Sequence, residues 1–95
     1  MASVKELKKD IDYLVFEVIS DCFTVMTVKT EEKSEDLSLI VADAVKLRNN
    51  LVARANHPDG KDNPALVKAH YRQLREDLVK GADLLFDRIS KVVKK

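Results

Sequence analysis

The residues best suited to metal chemistry surround one loop, which contains both prolines and one of the two glycines of the chain. His57, Asp59, Asp62 and His70 offer the mixed nitrogen and oxygen ligands that transition metals accept. However, Asp59 and Asp62 are common turn residues that bond to their own backbone, and a histidine such as His57 suits a helix C-terminus. Neither histidine follows a glutamate by three residues, as di-iron carboxylate bundles require. We therefore interpret the cluster as a turn and predict no metal and no cofactor.

Three further side chains could support catalysis: the carboxylates Glu17 and Asp21 and the thiol of Cys22. Glu17 and Asp21 are one helical turn apart, but acid–base catalysis needs a pocket that separates their pKa values, and the sequence indicates none. Cys22 falls within an apolar stripe, which favours a role as a small core residue. The sequence also lacks a Gly-x-Ser-x-Gly turn and a glycine-rich phosphate loop. We therefore predict that the chain is not an enzyme.

The tripeptide His57-Pro58-Asp59 resembles the one that defines the loop of J-domain co-chaperones, where it also lies between a basic helix and a second helix. Similarity to the Lys-Asn-Pro that often follows it in that family extends to Lys61, Asn63 and Pro64. The resemblance implies a co-chaperone-like loop whose partner contacts come from His57, Asp59 and Lys61. We treat this function as a distant alternative.

Length and composition are those of one small domain spanning residues 1–95, with 45% hydrophobic and 35% charged residues. No apolar run approaches the length of a membrane span, and the N-terminal residues are charged, unlike a signal peptide. The single cysteine cannot form an internal disulfide, which fits a reducing compartment. We therefore expect a cytoplasmic protein without a membrane partner.

Charge is unevenly divided between the two halves of the chain. Residues 1–45 contain five lysines and ten acidic residues, a net charge of −5, whereas residues 46–95 contain twelve basic and six acidic residues, a net charge of +6. Such a chain either packs its acidic half against its basic half or presents the basic half to an anionic partner. We expect the first arrangement, because neighbouring helices of compact bundles commonly carry opposite charges.

Apolar residues recur at spacings of three and four along most of the chain, which predicts an all-α fold. The predicted architecture is an antiparallel three-helix bundle with helices at about 4–28, 34–56 and 64–93. Asn63 is the expected cap of the third helix, and Pro64 suits its first position. Gly81 lies on the apolar stripe of that helix, where we expect another helix to approach closely.

The apolar arc of the first helix covers roughly 200°, which is wider than the single stripe that two neighbouring helices bury. Phe16 and Phe23 widen this arc, and Val79, Phe86 and Val93 flank the stripe of the third helix in the same way. We therefore predict that these five residues form a dimer interface and that the chain is a homodimer.

The third helix also contains basic residues that could follow a phosphate backbone, although acidic residues are interleaved with them. Aromatic residues for stacking on bases are scarce, since Tyr71 and Phe86 belong to the apolar side. In overall character the chain resembles the short all-helical proteins that many bacteria encode, a group without an assigned activity. The predicted function is a non-enzymatic homodimeric protein–protein interaction module with an unidentified protein partner. Binding of nucleic acid or another polyanion through the third helix is the alternative.

Overall fold

Three helices account for almost all of the chain that the computed structural model describes, which comprises residues 4–28, 34–58 and 62–94. Helix α1 spans Val4–Val28, α2 spans Ser34–Asn56 and α3 spans Pro64–Lys94, and the described residues contain no strand. The predicted all-α fold is confirmed, and the helix ends fall within one residue of the predicted ones.

The start of α3 has the cap that the sequence predicts. The side-chain oxygen of Asn63 accepts hydrogen bonds from the backbone N–H groups of Ala65 at 3.0 Å and Leu66 at 3.4 Å. The Asn63 carbonyl accepts the first intrahelical bond, from the N–H of Val67 at 3.0 Å. Pro64 fits the first helical position because a proline has no N–H group to leave without a partner.

The core consists of aliphatic side chains that recur every three or four residues on each helix, as an amphipathic helix requires. The buried residues are Leu7, Ile11, Val15, Val18 and Cys22 of α1, Leu37, Ile40, Ala44, Leu51 and Ala55 of α2, and Leu74, Leu78, Ala82, Leu85, Ile89 and Val92 of α3. Each large aliphatic side chain among them stabilises the fold by about 1.5–3 kcal/mol relative to exposure.

Two ion pairs define how the helices are aligned along their lengths. Arg48 Nε of α2 donates to Asp12 Oδ1 of α1 at 2.8 Å, and Arg88 Nη1 of α3 donates to Asp43 Oδ2 of α2 at 2.7 Å. Because the chain reverses direction between successive helices, α1 and α3 run parallel, and Asp12 lies about level with residue 83. Both pairs join the acidic first half of the chain to its basic second half.

Helices α2 and α3 approach each other closely at Gly81. A Cβ atom added to Gly81 would lie 2.7 and 2.9 Å from the two Cδ atoms of Leu47. These distances are shorter than van der Waals contact, so the predicted close approach at Gly81 is confirmed, and the neighbouring helix is α2.

Side chains of α3 bond to the last carbonyl groups of α2. His70 Nε2 lies 2.7 Å from the Arg54 carbonyl oxygen, and the Tyr71 hydroxyl donates to the Ala55 carbonyl oxygen at 3.1 Å. Such bonds satisfy carbonyl groups that have no partner within their own helix. The side chains of His70 and Tyr71 reach back to the end of α2, and the α3 residues from Pro64 to Ala69 extend past it. The resulting molecule is a rod of 52 × 19 × 18 Å.

Candidate functional site

Besides Tyr13, which is 65% exposed, the most exposed large apolar side chains in the middle of α1 are Phe16, at 67% exposure, and Phe23, at 55%. They line a shallow open groove that we call the phenylalanine stripe, and its lining residues are Phe16, Ile19, Ser20, Phe23, Thr24 and Thr27. Spacings of three, four and seven residues place these side chains on one side of the helix. The stripe therefore presents a continuous surface about three turns long.

Helices α2 and α3 cannot cover the phenylalanine stripe and the core stripe of α1 at the same time, because the two stripes lie on different sides of the helix. At 100° per residue, Phe16 and Phe23 lie about 140–160° around the helix from Val18, which is fully buried. Helices α2 and α3 cover the side that carries Val18. The expected excess of apolar arc over what one chain covers is therefore present, whereas the dimer interface predicted from it stays a prediction.

The phenylalanine stripe contains no charged side chain, although 35% of the residues in the chain are charged. Its two threonines satisfy their hydroxyl groups within α1, since Thr24 Oγ1 donates to the Ser20 carbonyl at 3.0 Å and Thr27 Oγ1 to the Thr24 carbonyl at 2.7 Å. These local bonds reduce the need of the hydroxyl groups for water. The groove therefore suits an apolar partner.

Helix α2 extends the apolar surface next to the phenylalanine stripe. The Asp12–Arg48 pair aligns the two antiparallel helices so that Val41 lies level with Ile19, and Val45 lies about level with Phe16. Val41 is half-buried, and Val45 is 42% exposed. The sequence analysis missed these valines because their position depends on the alignment of α1 with α2. It also missed Ile19, Ser20, Thr24 and Thr27, although the absence of charge along this spacing could have indicated them.

The predicted interface residues of α3 lie elsewhere. Val79 and Val93 are exposed, while Phe86 is half-buried and packs against the core. Asp77 and Arg88 contact α2 from one flank of the α3 core stripe, and Val79, Phe86 and Val93 occupy the opposite flank, which faces α1. The phenylalanine stripe, by contrast, lies on the α2 side of α1. The structure therefore does not bring the two predicted groups together.

The loop after α2 is described only in part. His57 is exposed, its N–H donates to the Ala53 carbonyl at 3.1 Å and the Arg54 carbonyl at 3.3 Å, and Pro58 is half-buried. Asp59 and Lys61, the other two predicted partner-contact residues, lie outside the described residues. Within the residues that the structure describes, no group of three or more histidine, cysteine or acidic side chains is arranged to hold a metal ion.

The candidate catalytic groups of α1 differ in burial, since Cys22 lies in the core whereas Glu17 and Asp21 lie on the surface. Cys22 is fully buried, and burial, followed by the nearby Asp21 carboxylate, raises the pKa of its thiol, which Arg88 lowers to a smaller extent. A thiol with a raised pKa is protonated near neutral pH and is a poor nucleophile. Glu17 and Asp21 are exposed to solvent on the outside of the helix. The prediction of a core position for Cys22 is confirmed.

Basic residues of α3 are partly engaged within the fold. Arg88 pairs with Asp43, and Lys91 pairs with Asp87 one turn earlier on the same helix at 3.1 Å. The other basic residues of α3 are exposed: Lys68, Arg72, Arg75, Lys80 and Lys94. Exposed acidic residues lie among them, so the local field toward a polyanion is reduced.

Comparisons with protein-family models, with curated proteins and with solved structures returned no match to this chain. None of the helices in the described part of the chain combines the length and the apolar character that a membrane span requires.

Proposed function

We propose that the chain is a non-enzymatic protein–protein interaction module that acts as a homodimer in the cytoplasm. The observation that carries the proposal is the phenylalanine stripe, in which Phe16 and Phe23 remain more than half exposed on an uncharged side of α1. Contiguous exposed apolar surface of this kind marks interaction sites on proteins of known structure. A buried and protonated Cys22 fits a role without nucleophilic catalysis.

The spacing within the phenylalanine stripe is self-complementary. The midpoint between Phe16 and Phe23 lies between Ile19 and Ser20, so an antiparallel two-fold pairing of two α1 helices about that point would place Phe16 of one subunit against Phe23 of the partner subunit. The same contact then occurs twice, as closed two-fold interfaces require. Because the stripe is uncharged, this pairing brings no like charges together within it.

The exposed area of the chain is also larger than that of a compact monomer. A protein of 10.8 kDa exposes about 5,500 Å² when compact, whereas this chain exposes 6523 Å². The difference, on the order of 1,000 Å², accompanies the elongated shape of the rod, whose sides leave room for an interface of standard size. Association would also bury four phenylalanine side chains, each worth about 1.5–3 kcal/mol when fully buried.

A pair of matched substitutions tests this proposal by light scattering after size exclusion. Phe16→Asp should produce a monomer. It should weaken the dimer at least ~100-fold, because a two-fold interface loses one phenylalanine from each subunit. Leu84→Asp is the control because Leu84 is 66% exposed but lies on α3, and it should leave the dimer unchanged. Equal masses for the two variants would contradict the proposed interface.

A further inference from the structure

A second apolar surface lies between α1 and α3. Val79, Phe86 and Val93 are spaced by seven residues on the flank of α3 that faces α1, and together they extend over about 21 Å of helix. Val79 is 52% exposed and Val93 is 42% exposed, while Phe86 is half-buried between them. We call this surface the acidic groove, because carboxylates border it on both sides.

The α1 border of the acidic groove consists of Asp10, Glu17 and Asp21. These residues lie about 140–180° around α1 from Asp12, which contacts α2, so they occupy the opposite flank, toward α3. Since Asp12 is about level with residue 83, Asp10 lies close to the level of Val79 and Asp21 close to that of Val93. All three carboxylates are exposed.

The α3 border adds a fourth carboxylate, from Asp83, which is also exposed. None of the ion pairs or hydrogen bonds found among the described residues involves Asp10, Glu17, Asp21 or Asp83. Asp12 and Asp43 of the acidic first half, by contrast, pair with Arg48 and Arg88 of the basic second half. The four carboxylates therefore place negative charge on both sides of the apolar surface between Val79 and Val93, whereas Arg75, one turn before Val79 on α3, places a positive charge at its end.

We propose that the acidic groove binds an amphipathic helix of a protein partner whose apolar face is flanked by lysine or arginine residues. An apolar face packed into a groove is a recurring mode of helix recognition, and its anchors repeat at spacings of three, four and seven residues. Opposite charges along the rim would orient such a helix and accelerate its association. A second copy of the phenylalanine stripe does not fit this site, because that stripe has no cations. A nucleic acid would be repelled.

The test uses a fluorescently labelled 18-residue helix of leucine and lysine as the probe, with fluorescence anisotropy as the readout. A peptide of identical composition, scrambled so that it has no apolar face, measures the purely electrostatic attraction. We expect the amphipathic probe to bind at least tenfold more tightly than the scrambled one. Equal affinity for the two peptides, or no binding of either up to millimolar concentration, would overturn the proposal.

Two matched charge reversals locate the binding site. The double substitution Glu17→Lys with Asp21→Lys should weaken binding of the amphipathic probe at least tenfold. Glu35→Lys with Asp36→Lys changes the net charge equally at exposed positions of α2 and should change affinity less than twofold. Val79→Ser with Val93→Ser removes exposed methyl groups without disturbing the core and should weaken binding severalfold. If both charge reversals have the same effect, or if the groove variants bind normally, the groove is not the site.

Discussion

At the scale of single residues, Gly81 gives the clearest test of packing, because a methyl group there would meet the Cδ atoms of Leu47. Gly81→Ala gains roughly 1 kcal/mol of helix propensity but must displace Leu47, and overpacking typically costs about 1–3 kcal/mol. We expect a net loss of about 1 kcal/mol of unfolding free energy, measured by urea denaturation.

The control is the same substitution in a Leu47→Ala background, where the space for the added methyl group already exists. There Gly81→Ala should raise the unfolding free energy by about 1 kcal/mol, which is opposite in sign to its effect in the wild-type background. A similar effect of Gly81→Ala in both backgrounds would show that Leu47 is not the obstacle.

Asp77 is expected to make the unfolding free energy depend on pH in the acidic range. The hydrogen bond from Gln73, followed by the one from Arg54, lowers the pKa of the Asp77 carboxyl below its ordinary value. A lowered pKa in the folded state means stability that is present above about pH 4 and lost as the pH falls through the folded pKa. In Asp77→Asn, the fall in unfolding free energy between pH ~5 and ~2 should be smaller than in the wild type. Parallel pH curves from chemical denaturation would contradict this.

Some of these residue-level features follow from local sequence, and others do not. Asn63 before Pro64 predicts a cap because the bonds involved reach only two or three residues along the chain. The spacing around Cys22 predicts burial for a similar reason. The pairing of Arg54 with Asp77, 23 residues away, depends on how α2 and α3 are aligned, and no local pattern encodes that alignment.

At the scale of elements, α1 has three chemically different sides. One is buried in the core, one is the exposed phenylalanine stripe, and one is the acidic border toward α3. Ser20 lies beside the midpoint between Phe16 and Phe23, so an antiparallel pair of α1 helices with its two-fold axis at that point would bring two copies of Ser20 close together. Under mild oxidation, Ser20→Cys should form an intermolecular disulfide, detected by non-reducing electrophoresis.

Ser90→Cys is the matched control for this crosslinking, because Ser90 is exposed on α3, away from the phenylalanine stripe. The native thiol of Cys22 is fully buried and should not contribute. Similar yields from the Ser20 and Ser90 variants would indicate random collision and would contradict the proposed antiparallel pairing.

Helix boundaries could be predicted from the sequence because amphipathic periodicity and capping residues are local properties. The rotation of each helix about its own axis could not, since it results from packing against two neighbours at once. For this reason the sequence grouped Val79, Phe86 and Val93 with Phe16 and Phe23, whereas in the structure Phe16 and Phe23 lie on the α2 side of α1 and the other three lie on α3, toward the opposite flank of α1.

At the scale of the whole molecule, a narrow rod of three helices exposes much of its surface and has room for only a thin core. The division of charge between the two halves of the chain is only partly compensated, by Asp12–Arg48 and Asp43–Arg88. Uncompensated carboxylates on one side of α1 and uncharged aromatic groups on the other give the rod two chemically different surfaces. We infer that the first suits a basic partner and the second suits a copy of the same chain.

Sedimentation equilibrium of the wild-type chain across micromolar concentrations tests the central claim most directly. Self-association through the phenylalanine stripe predicts a mass that rises with concentration toward twice the 10.8 kDa of one chain. The Phe16→Asp chain should remain at the single-chain mass under the same conditions. A wild-type mass that stays at 10.8 kDa throughout would mean that Phe16 and Phe23 are exposed without pairing, and the homodimer would be wrong.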